Sequence, residues 1–185
     1  MKAIVYNRNI DKGVSVCWPS EEVIRWMGCG GVWNDKPRGY IDIQIERFIA
    51  AGHLPDAAAR FARAVHFGGC TTAEALELVR DRDCAHLGHA IELWDSSNIS
   101  TDRWFRNAWR RSHNGGPISI DLNLAKPIQF RRIHDAVAIE NKRRSENIDS
   151  FDDMLEIDFA KIREEIRRSD DERVLRRIWP KELMR

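Results

Sequence analysis

The chain has 185 residues, of which 43% are hydrophobic and 32% are charged, and its 30 basic and 29 acidic side chains leave a formal charge of +1. This composition predicts a globular protein and excludes a largely disordered chain, a collagen-like repeat and a disulfide-stapled scaffold. No run approaches the roughly 18 consecutive apolar residues of a membrane span. The first residues, Met1–Tyr6, lack the apolar stretch of a signal peptide, so we expect neither feature.

The first thirty residues predict a β-hairpin followed by a short helix. Two β-prone runs, Ile4–Tyr6 and Val14–Cys17, flank the polar segment Asn7–Gly13, which is typical of a hairpin loop. The segment Pro19–Glu22 favours a helix start, because proline and acidic residues suit a first helical turn. The glycine-rich segment Gly28–Gly31 ends this helix.

Three amphipathic helices are predicted next. Apolar residues recur at helical spacing from Ile41 to Ile49 and from Ala57 to Phe67, and these two helices end at Gly52 and Gly68. The segment Thr71–Glu74 has the pattern of a capping box, in which the threonine and the glutamate satisfy each other's backbone amides. It predicts the start of the third helix.

The second half of the chain predicts an alternation of strands and helices. An extended segment at Ile91–Trp94 precedes an amphipathic helix from Thr101 to about Arg111, with its tryptophans on one face and its arginines on the other. A strand is predicted at Ile118–Leu122 and a long helix at Ile128–Arg144. After a polar loop, a further helix is expected near Asp158–Arg168.

These elements predict an α+β fold that is mainly helical, with a small N-terminal β-hairpin, and they allow one further short strand. A second capping-box pattern at Ser169–Glu172 predicts a last short helix before Trp179 and Pro180. Because the composition changes after Ser145, we expect a globular core in residues 1–145 and a helical segment in residues 146–185 packed on it. A single domain fits the sequence equally well.

One cluster of side chains suggests a metal site. Cys84, His86 and His89 are the residue types that bind zinc, and they define the hypothesis of a metal-dependent enzyme. Their spacing matches no standard structural zinc site, and on one helix the first two would point in nearly opposite directions. The competing interpretation is a helix C-terminus, where histidines complement the helix dipole.

The middle of the chain is basic. Residues 101–144 hold 10 basic and 4 acidic side chains, and Arg103, Arg106, Arg110 and Arg111 lie together in the predicted helix. Arginines on one helical face can contact the phosphates of nucleic acid, which defines the hypothesis of a nucleic-acid-binding accessory protein. The competing interpretation is a set of solvated or internally paired charges.

Seven tryptophans are a large number for this length, and an indole usually needs burial or a partner. Trp33 lies in a loop flanked by glycines and a proline, and it is our candidate for an exposed anchor at a protein interface. A locally buried loop tryptophan fits the same pattern.

The segment Asp102–Trp109 carries the pattern D-R-x-F-R-x-A-W. It precedes the predicted strand Ile118–Leu122, the charged helix Ile128–Arg144 and the dipeptide Trp179–Pro180. This order resembles small, largely uncharacterised proteins encoded among the virion and tail genes of phages and prophages, over about residues 90–183. The resemblance implies a structural or assembly component and brings no catalytic residues with it.

We therefore expect a non-enzymatic phage or prophage protein that acts through protein–protein contacts in the virion or tail. Its expected partners are other virion or tail proteins, including further copies of itself, and we expect no cofactor and no membrane contact. The expected location is the virion or the host cytoplasm. The nucleic-acid-binding protein and the metal-dependent enzyme remain the alternatives.

Overall fold

The computed structural model describes residues 2–146 and 154–184. These residues form a mainly helical α+β fold with seven α-helices and two small antiparallel sheets, which confirms the predicted fold class. The contacts divide the chain into two compact units. The first unit contains Met1–Thr101 and Arg110–Ile118, and the second contains Asp102–Trp109 and Ser119–Arg185.

The first unit is built on a three-stranded antiparallel sheet. Its strands are β1 (Lys2–Arg8), β2 (Val14–Cys17) and β3 (Gly88–Asp95), in the order β2-β1-β3. The central strand β1 is almost wholly buried, because its neighbours pair with both of its edges. The predicted hairpin and the predicted extended segment near residue 91 are therefore confirmed.

Four helices of the first unit follow β2 along the chain. They are α1 (Glu21–Cys29), α2 (Tyr40–Ala50), α3 (Pro55–Phe67) and α4 (Thr72–Asp83), and each confirms a helix predicted from the sequence. They pack with the sheet around one apolar cluster, whose largest buried members are Ile4, Tyr6, Met27, Phe61, Val65 and Val79. The predicted capping box of α4 is present, with the Glu74 N–H donating to Thr71 Oγ1 and the Thr71 N–H donating to Glu74 Oε2.

The helix predicted from Thr101 to Arg111 is wrong. In its place the chain forms a short 3₁₀ turn at Arg106–Ala108 and then the strand β4 (Trp109–Ser112), which pairs with β5 (Gly115–Ile120). Gly115 opens β5 with a φ of 96°, a left-handed conformation that a tight hairpin turn requires. Strand pairing thus overrides the helical spacing of the apolar residues. Strand β5 confirms the strand predicted at Ile118–Leu122, but it begins three residues earlier and ends at Ile120.

The second unit contains the remaining three helices, α5 (Leu122–Ser145), α6 (Phe159–Arg168) and α7 (Glu172–Arg177). Helix α5 begins earlier than predicted and includes Pro127, because Asp121 caps it by accepting a hydrogen bond from the Asn123 N–H. Helix α6 confirms the predicted helix near residue 158. Part of the polar loop predicted before it lies outside the described residues.

The second predicted capping box is wrong in its capping residue. The carboxylate of Asp171, not the hydroxyl of Ser169, accepts the hydrogen bonds of the Arg173 and Val174 N–H groups at the start of α7. Ser169 instead donates its hydroxyl to the Asp171 carbonyl oxygen. An ionised carboxylate is the stronger acceptor for two amides, which explains why the cap lies two residues later.

The core of the second unit joins the D-R-x-F-R-x-A-W segment to the three helices. Phe105, Ile133 and Leu175 belong to one buried cluster with residues of α6. Because α5 packs against α6 and α7, the division of the chain falls before α5 and not near residue 145 as expected from composition. Within the described residues no helix is long and apolar enough to cross a membrane.

Gln129 is the polar centre of this second core. Its side chain is fully buried, accepts a hydrogen bond from the Trp104 indole N–H at 2.7 Å, and donates to the Ile178 carbonyl oxygen at 2.8 Å. The Trp104 ring also lies 4.5 Å from the Arg132 guanidinium carbon. Trp104 and the segment after α7 are therefore held by the same buried amide, which gives the motif residues a structural role.

Candidate functional site

The C-terminal ends of α1 and α3 touch through their backbones at Gly30, Gly31, Gly68 and Gly69, which we call the glycine crossing. The Gly31 N–H donates to the His66 carbonyl oxygen at 2.7 Å. All four glycines have positive φ angles, which a residue without a Cβ adopts at no steric cost. The crossing fixes the loop after α1 against the last turn of α3.

Trp33 lies in that loop and packs on the last turn of α3. Its ring is parallel to the His66 imidazole within 15°, with the ring centres 6.4 Å apart, and the Tyr40 ring contacts it edge-on at 5.9 Å. Trp33 is thus half-buried, between the two states that the sequence allowed. It borders a cavity of about 440 Å³, the Trp33 pocket, lined in part by Trp33, Lys36, Arg38, Tyr40, Ile41 and His66.

The polar groups of the Trp33 pocket are mainly donors and cations. The His66 Nδ1 atom is buried and has no hydrogen-bond partner within the described chain. The Ile41 N–H, in the first turn of α2, likewise finds no acceptor in the described ranges, because Gly39 offers no capping side chain. The Asp42 and Ile43 N–H groups of the same turn both donate to the Gly39 carbonyl oxygen, so one amide is left for a ligand. A free amide at the start of a helix carries partial positive charge and favours an anion.

Two cations stand at the pocket, and only one of them is neutralised. Lys36 Nζ lies 2.7 Å from the Asp35 carboxylate, and this hydrogen bond raises the pKa of Lys36 and lowers that of Asp35. Arg38 is exposed and has no carboxylate within ion-pair distance in the described part of the chain. Its guanidinium is therefore available to a ligand.

Two other cavities offer less to a ligand. One of about 480 Å³ is lined partly by Trp94, Asp95 and Pro117, and Asp95 is already paired with Lys2 at 2.9 Å. One of about 280 Å³ in the second unit includes Lys126, Phe130 and Arg167. There Lys126 donates to the Arg167 carbonyl oxygen, and the Arg167 guanidinium binds Glu164. The Trp33 pocket is therefore our candidate functional site.

The four arginines proposed for nucleic acid do not form one helical face, because the helix is absent. Arg103 and Arg106 are exposed in the second unit, whereas Arg110 and Arg111 belong to the first unit. Arg110 has an interaction partner of its own. The Arg111 side chain is fully buried and forms an ion pair with Glu92 at 2.8 Å, so it is not available to a phosphate.

Cys84, His86 and His89, the proposed metal ligands, have three different surroundings. Cys84 is buried in the core cluster of the first unit, and the His86 ring contacts His53 with 5.3 Å between centres. The His89 ring contacts His113, and its Nδ1 lies 3.0 Å from the Asn9 side-chain oxygen. Across residues 2–146 and 154–184 no group of three or more histidine, cysteine, aspartate or glutamate side chains is arranged to hold a metal.

The thiols of the first unit differ in their ability to ionise. A hydrogen bond with Cys17, together with burial, raises the pKa of the Cys84 thiol, and the same hydrogen bond lowers the pKa of Cys17. Burial raises the pKa of Cys70, which is half-buried, whereas Cys29 is exposed. Thiolates and not thiols are alkylated, so exposure and pKa together set the order of reaction.

We expect Cys84 to resist alkylation until the first unit unfolds, while Cys29 reacts at once. The measurement is a time course with iodoacetamide, with each cysteine followed by peptide mass spectrometry. In strong denaturant all four cysteines should react at similar rates, which provides the control. Equal rates for Cys84 and Cys29 in the native protein would contradict the buried position of Cys84.

Comparison of the chain with protein-family models, with curated proteins and with solved structures finds no match in any of the three. The function of the chain must therefore be argued from its own residues and their geometry.

The sequence pointed to Trp33 but missed the rest of the pocket. The sequence predicts Ile41 only as part of a helix, and it singles out neither Tyr40 nor Arg38. His66 lies far along the chain and reaches Trp33 only through the glycine crossing. The sequence contained one indication of the pocket: a short loop in which a tryptophan and two cationic residues lie between two glycine-containing segments.

Proposed function

We propose that this chain is a non-enzymatic structural or assembly protein of a phage or prophage, and that it acts through protein–protein contacts in the virion or tail. The proposal joins the resemblance of its second half to such proteins with one feature of the first unit. That feature is the set of exposed apolar side chains on helix α2 and at the two ends of α3.

Helix α2 has apolar residues on two sides, and only one of them packs within the unit. Ile41, Ile45 and Phe48 share one side at helical spacing, and Phe48 packs against the core cluster. Ile43 projects about 180° away from that side, by helical geometry of roughly 100° per residue, and is 47% exposed. Ile49 lies about 120° around the helix from Ile43, at the edge of the packed side, and is 39% exposed.

Further apolar side chains are exposed beside this helix. Leu54, just after α2, is 48% exposed, and Phe67, at the end of α3, is 70% exposed. Single exposed apolar residues need no explanation, but several of them on and next to a helix that has no fully buried residue suggest a second partner. A partner protein would bury them and gain roughly 25 cal/mol for each Å² of apolar surface.

The test is whether the chain co-purifies with phage particles or tails. A tagged copy is expressed in the strain that carries its gene, particles are banded in a density gradient, and the tag is quantified in particle and tail fractions. The Ile43→Glu/Ile49→Glu variant should leave those fractions, because it places two charges in the proposed contact. Both side chains are only partly exposed, so the thermal unfolding of the variant is compared with that of the native chain to separate loss of the contact from loss of stability.

Glu46→Gln is the matched control, because Glu46 is exposed on the same helix and contributes no apolar surface. This variant should remain in the particle fractions. Absence of the native chain from every particle and tail fraction would refute the proposal. Light scattering of the purified chain tests whether the partner is a further copy of the chain. If the native chain forms a defined oligomer and the Ile43→Glu/Ile49→Glu variant does not, the partner is the chain itself.

A further inference from the structure

We propose that the Trp33 pocket is a binding site for a phosphate monoester. The phosphate binds Arg38 and the first turn of α2, and the organic group packs against Trp33 and Tyr40. This inference is independent of the proposed assembly function, because it rests on the pocket and not on the exposed apolar side chains of α2 and α3.

The anionic end of the ligand follows from the distribution of donors. Arg38 is the pocket cation without a carboxylate partner among the described residues, and a guanidinium can bind two phosphate oxygens at once. The Ile41 N–H lacks an acceptor among the residues that the structure describes, and it belongs to the first turn of an 11-residue helix, whose dipole favours negative charge at this end. Asp42 already supplies one negative charge to that turn, so Arg38 is the main contact for the phosphate. Lys36 contributes less, because Asp35 already neutralises it.

The organic part follows from the size and walls of the pocket. A volume of about 440 Å³ lies within the range of small-molecule sites, roughly 300–1,000 Å³, and exceeds the need of inorganic phosphate. Trp33 and Tyr40 provide aromatic walls, and the His66 imidazole is stacked on the Trp33 ring. An organic phosphate fills both regions, whereas a bare anion leaves the aromatic walls in contact with water.

A phosphate monoester can come from a free metabolite or from the 5′ end of a DNA strand, and the same chemistry serves both. The probes are therefore adenosine 5′-monophosphate, adenosine, inorganic phosphate, and a short single-stranded DNA with and without its 5′-phosphate. Binding to the full chain is measured by titration calorimetry. The indole N–H resonance of Trp33, assigned with a Trp33→Phe variant, reports contact with the pocket in NMR spectra.

The decisive variants are Arg38→Ala and Arg47→Ala. Both remove one exposed cation near the same helix, but Arg47 lies in the last turn of α2 and does not line the pocket. We expect adenosine 5′-monophosphate to bind one-to-one and to shift the Trp33 resonance. Its affinity should fall roughly tenfold or more in Arg38→Ala and stay unchanged in Arg47→Ala, because a hydrogen bond to a charged group is lost only in the first.

The DNA probes then show whether the phosphate monoester is a free metabolite or the 5′ end of a DNA strand. Tighter binding of the 5′-phosphorylated strand than of the nucleotide supports the site and assigns it to nucleic-acid ends, and equal or weaker binding assigns it to free monoesters. Three results would overturn the proposal: no binding of any phosphate monoester, equal binding of adenosine and its phosphate, or affinity that Arg38→Ala leaves unchanged. Binding of an acidic peptide in place of every phosphate would overturn it as well.

Discussion

Substitution of Gly30 by alanine is expected to destabilise the first unit by about 3 kcal/mol or more. A Cβ on Gly30 would lie 2.6 Å from the carbonyl carbon and oxygen of Phe67, which are backbone atoms that cannot rotate away. Gly30 also has a φ of 69°, where a side chain costs about 1–2 kcal/mol. Overpacking adds roughly 1–3 kcal/mol to that strain.

Gly68→Ala should behave in the same way, because its Cβ would lie 2.5 Å from the Gly30 nitrogen. The matched control is Gly52→Ala. Gly52 has a φ of 95°, but a Cβ there would meet nothing within 4 Å. We expect this control to be destabilised by about 1–2 kcal/mol, which is the cost of the conformational strain alone.

Urea denaturation followed by circular dichroism measures the free energy of unfolding of each variant. If Gly30→Ala or Gly68→Ala lowered the free energy of unfolding by no more than Gly52→Ala does, the two helix ends would not be in contact. The crossing also positions His66 against Trp33, so we expect a partly folded Gly30→Ala protein to lose the Trp33 resonance shift described above.

The glycine crossing shows how far the sequence could predict the site. The segments Gly28–Gly31 and Gly68–Gly69 were correctly predicted to end helices, since that follows from local backbone preferences. Their contact with each other joins positions far apart in the chain, and no local pattern contains it. The Trp33 pocket depends on that contact, which is why only its tryptophan was found in advance.

The segment before Arg111 shows that a local pattern can also predict the wrong element. The apolar residues Trp104, Phe105, Ala108 and Trp109 have helical spacing, yet the chain around them forms a turn and a strand. Phe105, Ala108 and Trp109 are buried, as the apolar side of an amphipathic helix would be, but the chain does not form that helix. Short apolar runs fit more than one element, and the pairing of β4 with β5 decides between them.

The buried ion pair in the first unit leads to the second large effect. Glu92→Gln is expected to cost about 2 kcal/mol, because it leaves the fully buried Arg111 side chain without its countercharge, while the partial exposure of Glu92 reduces the loss. The remaining contacts of Arg111 are the Ala90 carbonyl oxygen at 3.1 Å and the Trp94 ring at 5.4 Å. Its Nε and Nη1 atoms have no hydrogen-bond partner in the described chain, so they cannot compensate for the loss.

Arg111→Met should cost less than Glu92→Gln. Methionine fills much of the space of the arginine stem, and Glu92 is partly exposed and keeps its hydrogen bonds from the Trp94 indole and the Gly116 N–H. The Glu92→Gln/Arg111→Met double variant should therefore be more stable than Glu92→Gln alone. Denaturation of all four proteins closes a double-mutant cycle, and additive losses would contradict a buried pair.

The pH dependence gives an independent check of the same pair. Burial alone would raise the pKa of Glu92, but the hydrogen bonds from Trp94 and Gly116 and the charge of Arg111 outweigh it, so the pKa lies below its usual value. A carboxylate with a lowered pKa stabilises the fold above the unfolded-state value of about 4.3, and this contribution is lost as the pH falls through the lower folded-state value. The stability difference between the native chain and Glu92→Gln should thus be constant near neutral pH and shrink below about pH 4.

The ion pair between Glu92 and Arg111 also argues against a role of Arg111 in nucleic-acid binding. Because Arg111 is buried against Glu92, its substitution acts through the stability of the β3 and β4 region, whereas Arg103 and Arg106 are exposed. If Arg111→Met retained full stability and lost only DNA binding, the side chain would have to be accessible to phosphate. We expect the reverse: reduced stability at every salt concentration, with no change in salt-dependent DNA association beyond that caused by unfolding.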